Sequence, residues 1–387
     1  MYPQLIPFRQ FLSYSINIFM QNPNLMNNSG SLVGGGTHSL NFYDVICLEN
    51  LFRAWRNFSR GKRDKRGIGE FELRVEENLF SLHEFLKSGN WTHDPYVQRK
   101  ISDPKPRIIH IASVRDRVLF QATYQKLYQI FDKTFIHDSY ASRNFKGTHA
   151  GVKRFEVFAR KVSENHTKPA FVLKCDIRKF FDNIDHEILF DFIKGRIKDG
   201  RLLKLIWKIV SSFEASPHKG LPLGNVTSQL FANIYLNDLD QLVKHELKQK
   251  YYIRYCDDSV MLSNDRDEIE KVVSTLRNYL KGNLKLELHP NKITIRKLRH
   301  GTDFLGYVSL PHYRVLRTKT KKRMLKRLRA LANTIKTKDN LEKILPIIRS
   351  YLGMLSHCRS EKVVKRLKNY WPSNLNGMIM EQFYDNF

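Results

Sequence analysis

The chain has 387 residues, 42% of them hydrophobic and 12% aromatic, enough for two or three packed subdomains and too apolar for wholesale disorder. Its 66 Lys and Arg against 38 Asp and Glu leave a formal charge of +28, a field that favours polyanions, nucleic acid first and acidic membrane second. The four cysteines (Cys47, Cys175, Cys256, Cys358) are far apart and form no CxxC pair, which argues against a zinc ribbon or a disulfide framework and fits a reducing cytoplasm.

The opening segment, MYPQLIPFRQFLSYSINIFMQNPN, is apolar in patches but too interrupted to span a bilayer, and its start is not basic, so no membrane association is expected. Residues 1–40 read as an arm, with NNSGSLVGGG as a flexible linker. From about Phe42 to Trp91 apolar residues recur at three- and four-residue steps, predicting helices around the basic loop SRGKRDKRGIG. YVQRKISDPKPRIIHIAS alternates with Pro punctuation and predicts a hairpin or two strands. VRDRVLFQATYQKLYQIFDKTF returns to helix, and DSYASRNFKGTHAGVKRFEVFARKV is a loop running into another.

PAFVLKCDIRKFFDNID begins as a strand ending near Asp176, followed by helices in HEILFDFIKGRI and LLKLIWKIVSSF. KGLPLGNVTSQLFANIYLNDLDQLVKHEL is a Pro/Gly loop opening a long helix, with Asn225 or Thr227 as its cap. YIRYCDDSVML reads as strand, turn, strand; RDEIEKVVSTLRNYLKG as amphipathic helix; LKLELHPNKITIRK as a strand pair; TDFLGYVSL as one more strand. RVLRTKTKKRMLKRLRA carries nine basic residues between Arg314 and Arg329 and no acid. Met324, Leu325, Leu328 and Leu331 keep one apolar face there, so the cations lie on the other side of a helix.

The central order of strand, helix, strand–turn–strand, helix, strand is the split βαβ arrangement of an antiparallel sheet backed by helices, an α+β fold. In that topology the carboxylates of Asp176, Asp257 and Asp258 converge. Such a cluster needs neutralisation, which two hard divalent cations, typically Mg²⁺, would supply. Two metals about 4 Å apart can drive an in-line phosphoryl displacement. The competing reading is a solvated Asp-Asp hairpin turn. The apolar flanks are wasteful around an exposed turn and weigh against it.

YCDD (Tyr255–Asp258) resembles the YxDD box of reverse transcriptases. VLKCDIRKFFDNIDHEIL, LPLGNVTSQLFANIYL, LHPNKITI and FLGY resemble the other palm motifs in the family's order, and KPRIIHIASVRDRVL and SYASRNFKGTHAG its fingers motifs, over roughly residues 95–310. The resemblance implies a right-hand polymerase: fingers and N-terminal helices at 41–170, a palm with the split βαβ sheet at 171–312, and a helical basic thumb with the C-terminal tail at 313–387. It implies metal binding by Asp176, the Ile177 carbonyl and Asp257, with Asp258 in support, and Mn²⁺ as a substitute for Mg²⁺.

Further roles follow residue by residue from the same resemblance. Phe181 becomes a steric gate against the ribose 2′-hydroxyl, with ordinary core packing as its alternative. Arg107, assisted by Lys105, grips the incoming triphosphate. Arg143 becomes a second phosphate or template contact, or else a solvated loop arginine. Lys292 becomes the donor of a proton to leaving pyrophosphate, or else a surface lysine. Gly224 lets the helix start approach the nascent pair. Phe304, Leu305, Gly306 and Tyr307 form the primer grip, and Lys321, Lys322, Arg323, Lys326 and Arg327 bind nucleic acid.

Leu223 and Gln229, in LGNVTSQ, depart from the Gln and Pro of the commoner QGxxxSP box. That variant looks most like the reverse transcriptases of diversity-generating retroelements, which copy a template RNA with errors at adenines. It implies partners: template RNA, a DNA or RNA primer, dNTPs, and a small basic helical accessory protein or a structured non-coding RNA. Alternatives are a phage-defence or unclassified bacterial reverse transcriptase, and an RNA-binding scaffold with decayed activity. After about residue 370 no room is expected for an RNase H, endonuclease or maturase domain.

Overall fold

The computed structural model describes residues 39–102, 106–333, 338–368 and 370, so the expected N-terminal arm and C-terminal tail lie almost wholly outside the described residues, as does Lys105. Residues 40–387 form one compact unit. At its centre is a four-stranded sheet built from β3 (Phe171–Asp176), β4 (Tyr252–Tyr255), β5 (Asp258–Ser263) and β6 (Thr294–Lys297). It is preceded in the chain by a hairpin, β1 (Val97–Ile101) and β2 (Arg107–Ile111). The sheet order is β4-β5-β3-β6 with every pair antiparallel. Helices His186–Lys194, Gly200–Val210 and Val226–Gln241 intervene between β3 and β4, and Arg266–Asn283 between β5 and β6. This is the expected split βαβ, α+β.

The strands read as nearly continuous apolar runs because both faces of the sheet are covered. Leu173, Cys175 and Met261 enter a large core with Phe180, Tyr235 and Leu276. Val172, Ile253, Val260 and Leu262 enter a second core with Phe155 and Phe158 of the Thr148–Val162 helix. The Val226–Gln241 helix is buried on almost every side, Thr227, Ser228, Asn233 and Asp240 included, so no polar face marks its outside. The large core draws on residues from Phe42 to Leu288.

One buried ion pair locks this layer. The Arg254 guanidinium, on β4, donates from Nε and Nη2 to Asp240 on the helix at 2.7–2.9 Å, and both side chains are essentially inaccessible to solvent. Arg254 Nη1 also donates to the Cys256 carbonyl (3.1 Å) and to Asn233 Oδ1 (3.2 Å). Tyr252 donates its hydroxyl to Asp240 (3.1 Å). The Arg254 backbone holds the 138–140 segment through Arg254 N to Asp138 O (3.0 Å) and Tyr140 N to Arg254 O (2.9 Å).

Three local expectations change. LKLELHPNKITIRK forms only one strand, β6; its first half makes a single bridge, Ile177 to Leu288. TDFLGYVSL is a hairpin, β7 (Thr302–Phe304) and β8 (Tyr307–Ser309), extended by β9 (Arg314–Leu316). Leu305 and Gly306 at φ +50° and +92° make the turn that splits it. Asn225 sits at the N-cap without a side-chain capping bond, and its Nδ2 donates to the Tyr96 hydroxyl at 3.1 Å. Beyond β9, the helix Thr318–Ala332 buries Met324, Leu328 and Ala332 against Ile348, Leu352 and Leu355 of the helix Lys338–Leu355.

Removing one half of a buried ion pair strands the other charge. Asp240→Ala is therefore expected to lose about 3–5 kcal/mol in urea unfolding. The double variant Arg254→Met/Asp240→Leu should recover a large part of that loss, and equal losses in the two proteins would contradict the assignment.

Candidate active site

The YCDD segment closes β4 onto β5 through Cys256 and Asp257, with Cys256 at φ +56°, the left-handed backbone a tight hairpin demands. Ile177 N donates to the Asp257 carbonyl at 3.3 Å, tying this turn to the end of β3. Register then sets Asp176 directly opposite Asp258. Sequence-distant acids thus share one corner of the sheet.

The three carboxylates have different partners. Asp176 Oδ1 accepts from Lys292 Nζ at 2.7 Å. Asp258 Oδ2 lies 3.2 Å from Lys174 Nζ, while its Oδ1 is buried with no protein partner. Burial, with the Asp176 charge next, raises the Asp257 carboxyl above the ordinary range. Burial pushes Asp258 up to about 6, with Lys174 opposing and the neighbouring aspartates adding to the rise. Burial likewise drives the Cys175 and Cys256 thiols up to about 12, so neither is a thiolate and both serve as small packing groups.

Two of the three acids at this corner are engaged by lysines, Asp176 by Lys292 and Asp258 by Lys174. Among the described residues no group of three His, Cys, Asp or Glu side chains is drawn together tightly enough to hold an ion. Asp176, Asp257 and the Ile177 carbonyl, the ligands that the resemblance implies, are all hard oxygen donors. That set, with the orphaned Asp258 Oδ1 beside it, fits a divalent cation of the kind bound by one or two carboxylates and substrate phosphates.

The other predicted residues are placed by their own local structure. Lys179 at φ +44° starts the short helix Phe180–Asn183. Phe180 is buried, and half-buried Phe181 lies edge-on to it at 5.5 Å. The Phe181 carbonyl accepts from Leu221 N (2.8 Å), and the Leu223 carbonyl accepts from His110 N (3.1 Å). Phe181, the LGNVTSQ loop and the β1–β2 hairpin are thereby joined. Gly224 is exposed at φ +120°, a backbone that excludes side chains. Arg107 and Gln229 are both exposed.

Two assignments are corrected. Arg143 is neither a phosphate contact nor a solvated loop arginine: its guanidinium is buried against Asp132 (2.6 Å) and the carbonyls of Ile136 and Ser139. It braces the loop before the Thr148–Val162 helix. Phe304 and Tyr307 are also buried, Tyr307 donating its hydroxyl to the Met354 carbonyl at 3.0 Å. Only the Leu305–Gly306 turn is left at the hairpin tip to meet a primer. On the basic helix Lys322, Lys326 and Arg327 are exposed, and Lys321 and Arg323 half-buried.

Sequence reading missed Lys174 and the Arg254–Asp240 pair. Lys174 stands two residues before Asp176 on the same strand face, which was a usable signal. A lone arginine within the apolar YIRY run was another.

A split βαβ sheet with paired acids on a hairpin turn facing a third on the central strand defines a palm-type, template-directed nucleotidyltransferase. The family model described as reverse transcriptase (RNA-dependent DNA polymerase) matches residues 98–309. The chain belongs to that family, whose members are RNA-directed DNA polymerases that use divalent metal ions.

Among similar curated proteins, Protein YkfC of Escherichia coli K12 is 26% identical over 61% of this chain and 72% of YkfC. Group II intron-encoded protein LtrA of Lactococcus lactis is 27% identical over 53% of this chain and 34% of LtrA. Retron Ec73 reverse transcriptase of Escherichia coli is 25% identical over 46% of this chain and 55% of that enzyme. The chain thus spans about a third of LtrA and about half of the retron enzyme. A structure of telomerase from Candida albicans, in complex with a fragment of telomeric RNA, aligns with a TM-score of 0.46 and 11% identity over 81% of this chain and 67% of that one.

The unequal partners of the carboxylates predict unequal effects. Asp176→Asn and Asp257→Asn should each cut primer extension by about 10³-fold or more. Asp258→Asn, acting through Lys174 and its neighbours, should cost about 10–100-fold. Steady-state extension with circular dichroism as a fold control distinguishes them, and equal losses at all three positions would contradict this division.

Proposed function

We propose that the chain copies a template RNA into cDNA, extending a DNA or RNA primer with dNTPs and two Mg²⁺ ions, for which Mn²⁺ can substitute. The observation that carries this reading is the corner where Asp176 faces the Asp257–Asp258 turn. Asp176, Asp257 and the Ile177 carbonyl would hold the ions, with Asp258 in support. Bound there, divalent ions supply charge neutralisation and a more acidic primer 3′-hydroxyl.

The protein's own groups do the rest. Exposed Arg107, with Lys105 nearby in sequence, offers donors to triphosphate oxygens. Lys292, 2.7 Å from Asp176, is placed to give a proton to departing pyrophosphate. Phe181 excludes a ribose 2′-hydroxyl, and Leu223, Gly224 and Gln229 border the nascent pair. In this reading residues 41–170 are fingers, 171–312 palm, and the chain from 313 thumb, whose Lys321, Lys322, Arg323, Lys326 and Arg327 follow the phosphate backbone. The protein works in the cytoplasm; no helix among the described residues is long and apolar enough to cross a membrane.

We further assign the enzyme to a diversity-generating retroelement, working with a small basic accessory protein or a structured RNA. The basis is Leu223 in LGNVTSQ, an aliphatic side chain that offers a base no hydrogen bond. The defence-type reading shares the chemistry and differs in its errors.

Purified protein with RNA template, primer, Mg²⁺ and dNTPs is expected to extend the primer with misincorporation concentrated opposite adenine; evenly spread errors would favour the defence-type reading. Phe181→Ala should raise ribonucleotide incorporation by about tenfold or more. No gain would return Phe181 to ordinary core packing.

A further inference from the structure

A cavity of about 470 Å³ lies at the end of β3 opposite the carboxylates, within the size range of ligand sites. Leu298 in its wall donates its N–H to the carbonyl of Ala170, just before β3. From Ala170 to Asp176 the extended chain covers about 20 Å, so this cavity is separate from the polymerase corner. The Thr148–Val162 helix, the loop that follows it and the β8–β9 hairpin form its walls.

Its polar groups are almost all donors. Arg160, Arg314, His166, His312 and Ser309 line it, with Glu156 as its single carboxylate. Ser309 and Arg314 are cross-strand partners on β8 and β9, so their side chains share a face. Arg314 Nε meets Glu156 at 3.3 Å. Its Nη1 remains buried without a protein partner, and so does the Oγ of Ser309, a residue only 3% exposed. Leaving such a group unpaired costs about 1–3 kcal/mol. Two in one wall indicate a missing acceptor.

The backbone opposite is held in a costly form. Glu164, Asn165 and His166 are consecutive residues at φ +47°, +58° and +69°, each a conformation that L side chains seldom take. This turn sets the His166 ring 5.3 Å from that of His312. An adjoining cavity of about 250 Å³ shares His166, Leu298 and Pro311 and adds Lys168, Lys297 and Arg299, which continues the positive surface outward.

We propose that this cavity binds a phosphate group, held by Arg160, Arg314 Nη1 and Ser309 Oγ. The outward run of cations favours phosphate carried on an RNA lying outside the template cleft; inorganic phosphate offers the same chemistry. The proposal does not rest on the polymerase reading.

Thermal unfolding of the full chain in EDTA is compared in sodium phosphate and in sodium chloride of equal ionic strength. Phosphate should raise the midpoint of the wild type and leave Arg160→Glu and Ser309→Val unmoved. Arg160 is exposed, so its variant keeps the test valid if Ser309→Val does not fold. Primer extension on a short exogenous hybrid should be unchanged in Arg160→Glu. Anisotropy with a longer single-stranded RNA separates the two sources: if RNA supplies the phosphate, the salt slope of binding falls by about one in Arg160→Glu and inorganic phosphate competes. An unchanged slope, with the thermal response still lost, assigns the site to free phosphate. An equal phosphate response in wild type and Arg160→Glu overturns the proposal.

Discussion

The Arg254–Asp240 pair is the constraint on which the catalytic corner depends. A fully buried guanidinium is costly unless every donor direction is used. Here Nε and Nη2 take Asp240, while Nη1 takes Asn233 and the Cys256 carbonyl. That last bond reaches the YCDD turn itself. Asn233, on the same helix as Asp240, also donates to the Ala141 carbonyl at 2.9 Å. One side chain therefore fixes helix, hairpin turn and the preceding loop together. Neutral packing could fill the same volume, but it would not hold a turn carbonyl in place.

The corner is also a local reversal of sign in a protein of formal charge +28. Its acids are not left to the long-range field. Lys292 engages Asp176 and Lys174 engages Asp258, leaving Asp257 with its carboxyl raised by burial and by the Asp176 charge. Each contact shortens the reach of a negative group that would otherwise repel its neighbours. Strand register sets Asp176 opposite Asp258, and the Ile177 N–H bond to the Asp257 carbonyl holds the turn against the end of β3, so the placement of all three acids is settled during folding.

Much of this was legible in the sequence, and the reasons for the failures are specific. The order of elements and the pairing of Asp176 with the Asp257–Asp258 turn follow from periodicity and from the constraints of split βαβ topology. Periodicity reads TDFLGYVSL as one strand and passes over Gly306, which with Leu305 at positive φ makes the turn. It could not place Arg143, since a loop arginine bound to carbonyls looks the same in sequence as one facing solvent. At the Val226–Gln241 helix Asn225 has the residue type of a cap but makes no capping bond; its amide N–H donates instead to Tyr96, far off in the chain. Lys174 and Arg254 were visible as charges in apolar strands, and strand alternation alone did not name their partners.

Residues at strained backbone angles sit at each junction that shapes the site. Lys179 at φ +44° turns the chain into the Phe180–Phe181 pair, Cys256 at +56° closes the hairpin, and Leu305 at +50° forms the tip beyond Phe304. None is glycine, and each costs of order 1–3 kcal/mol. Such angles persist only where the surroundings overdetermine them. Each lies beside a buried anchor that can do so: Phe180 next to Lys179, the Arg254 guanidinium over Cys256, and Phe304 before Leu305. The cores on the two faces of the sheet thus do more than stabilise it. They hold three unfavourable turns at fixed positions, one after β3, one between β4 and β5 and one between β7 and β8, so the acids, the Phe181 ring and the hairpin tip are set by packing.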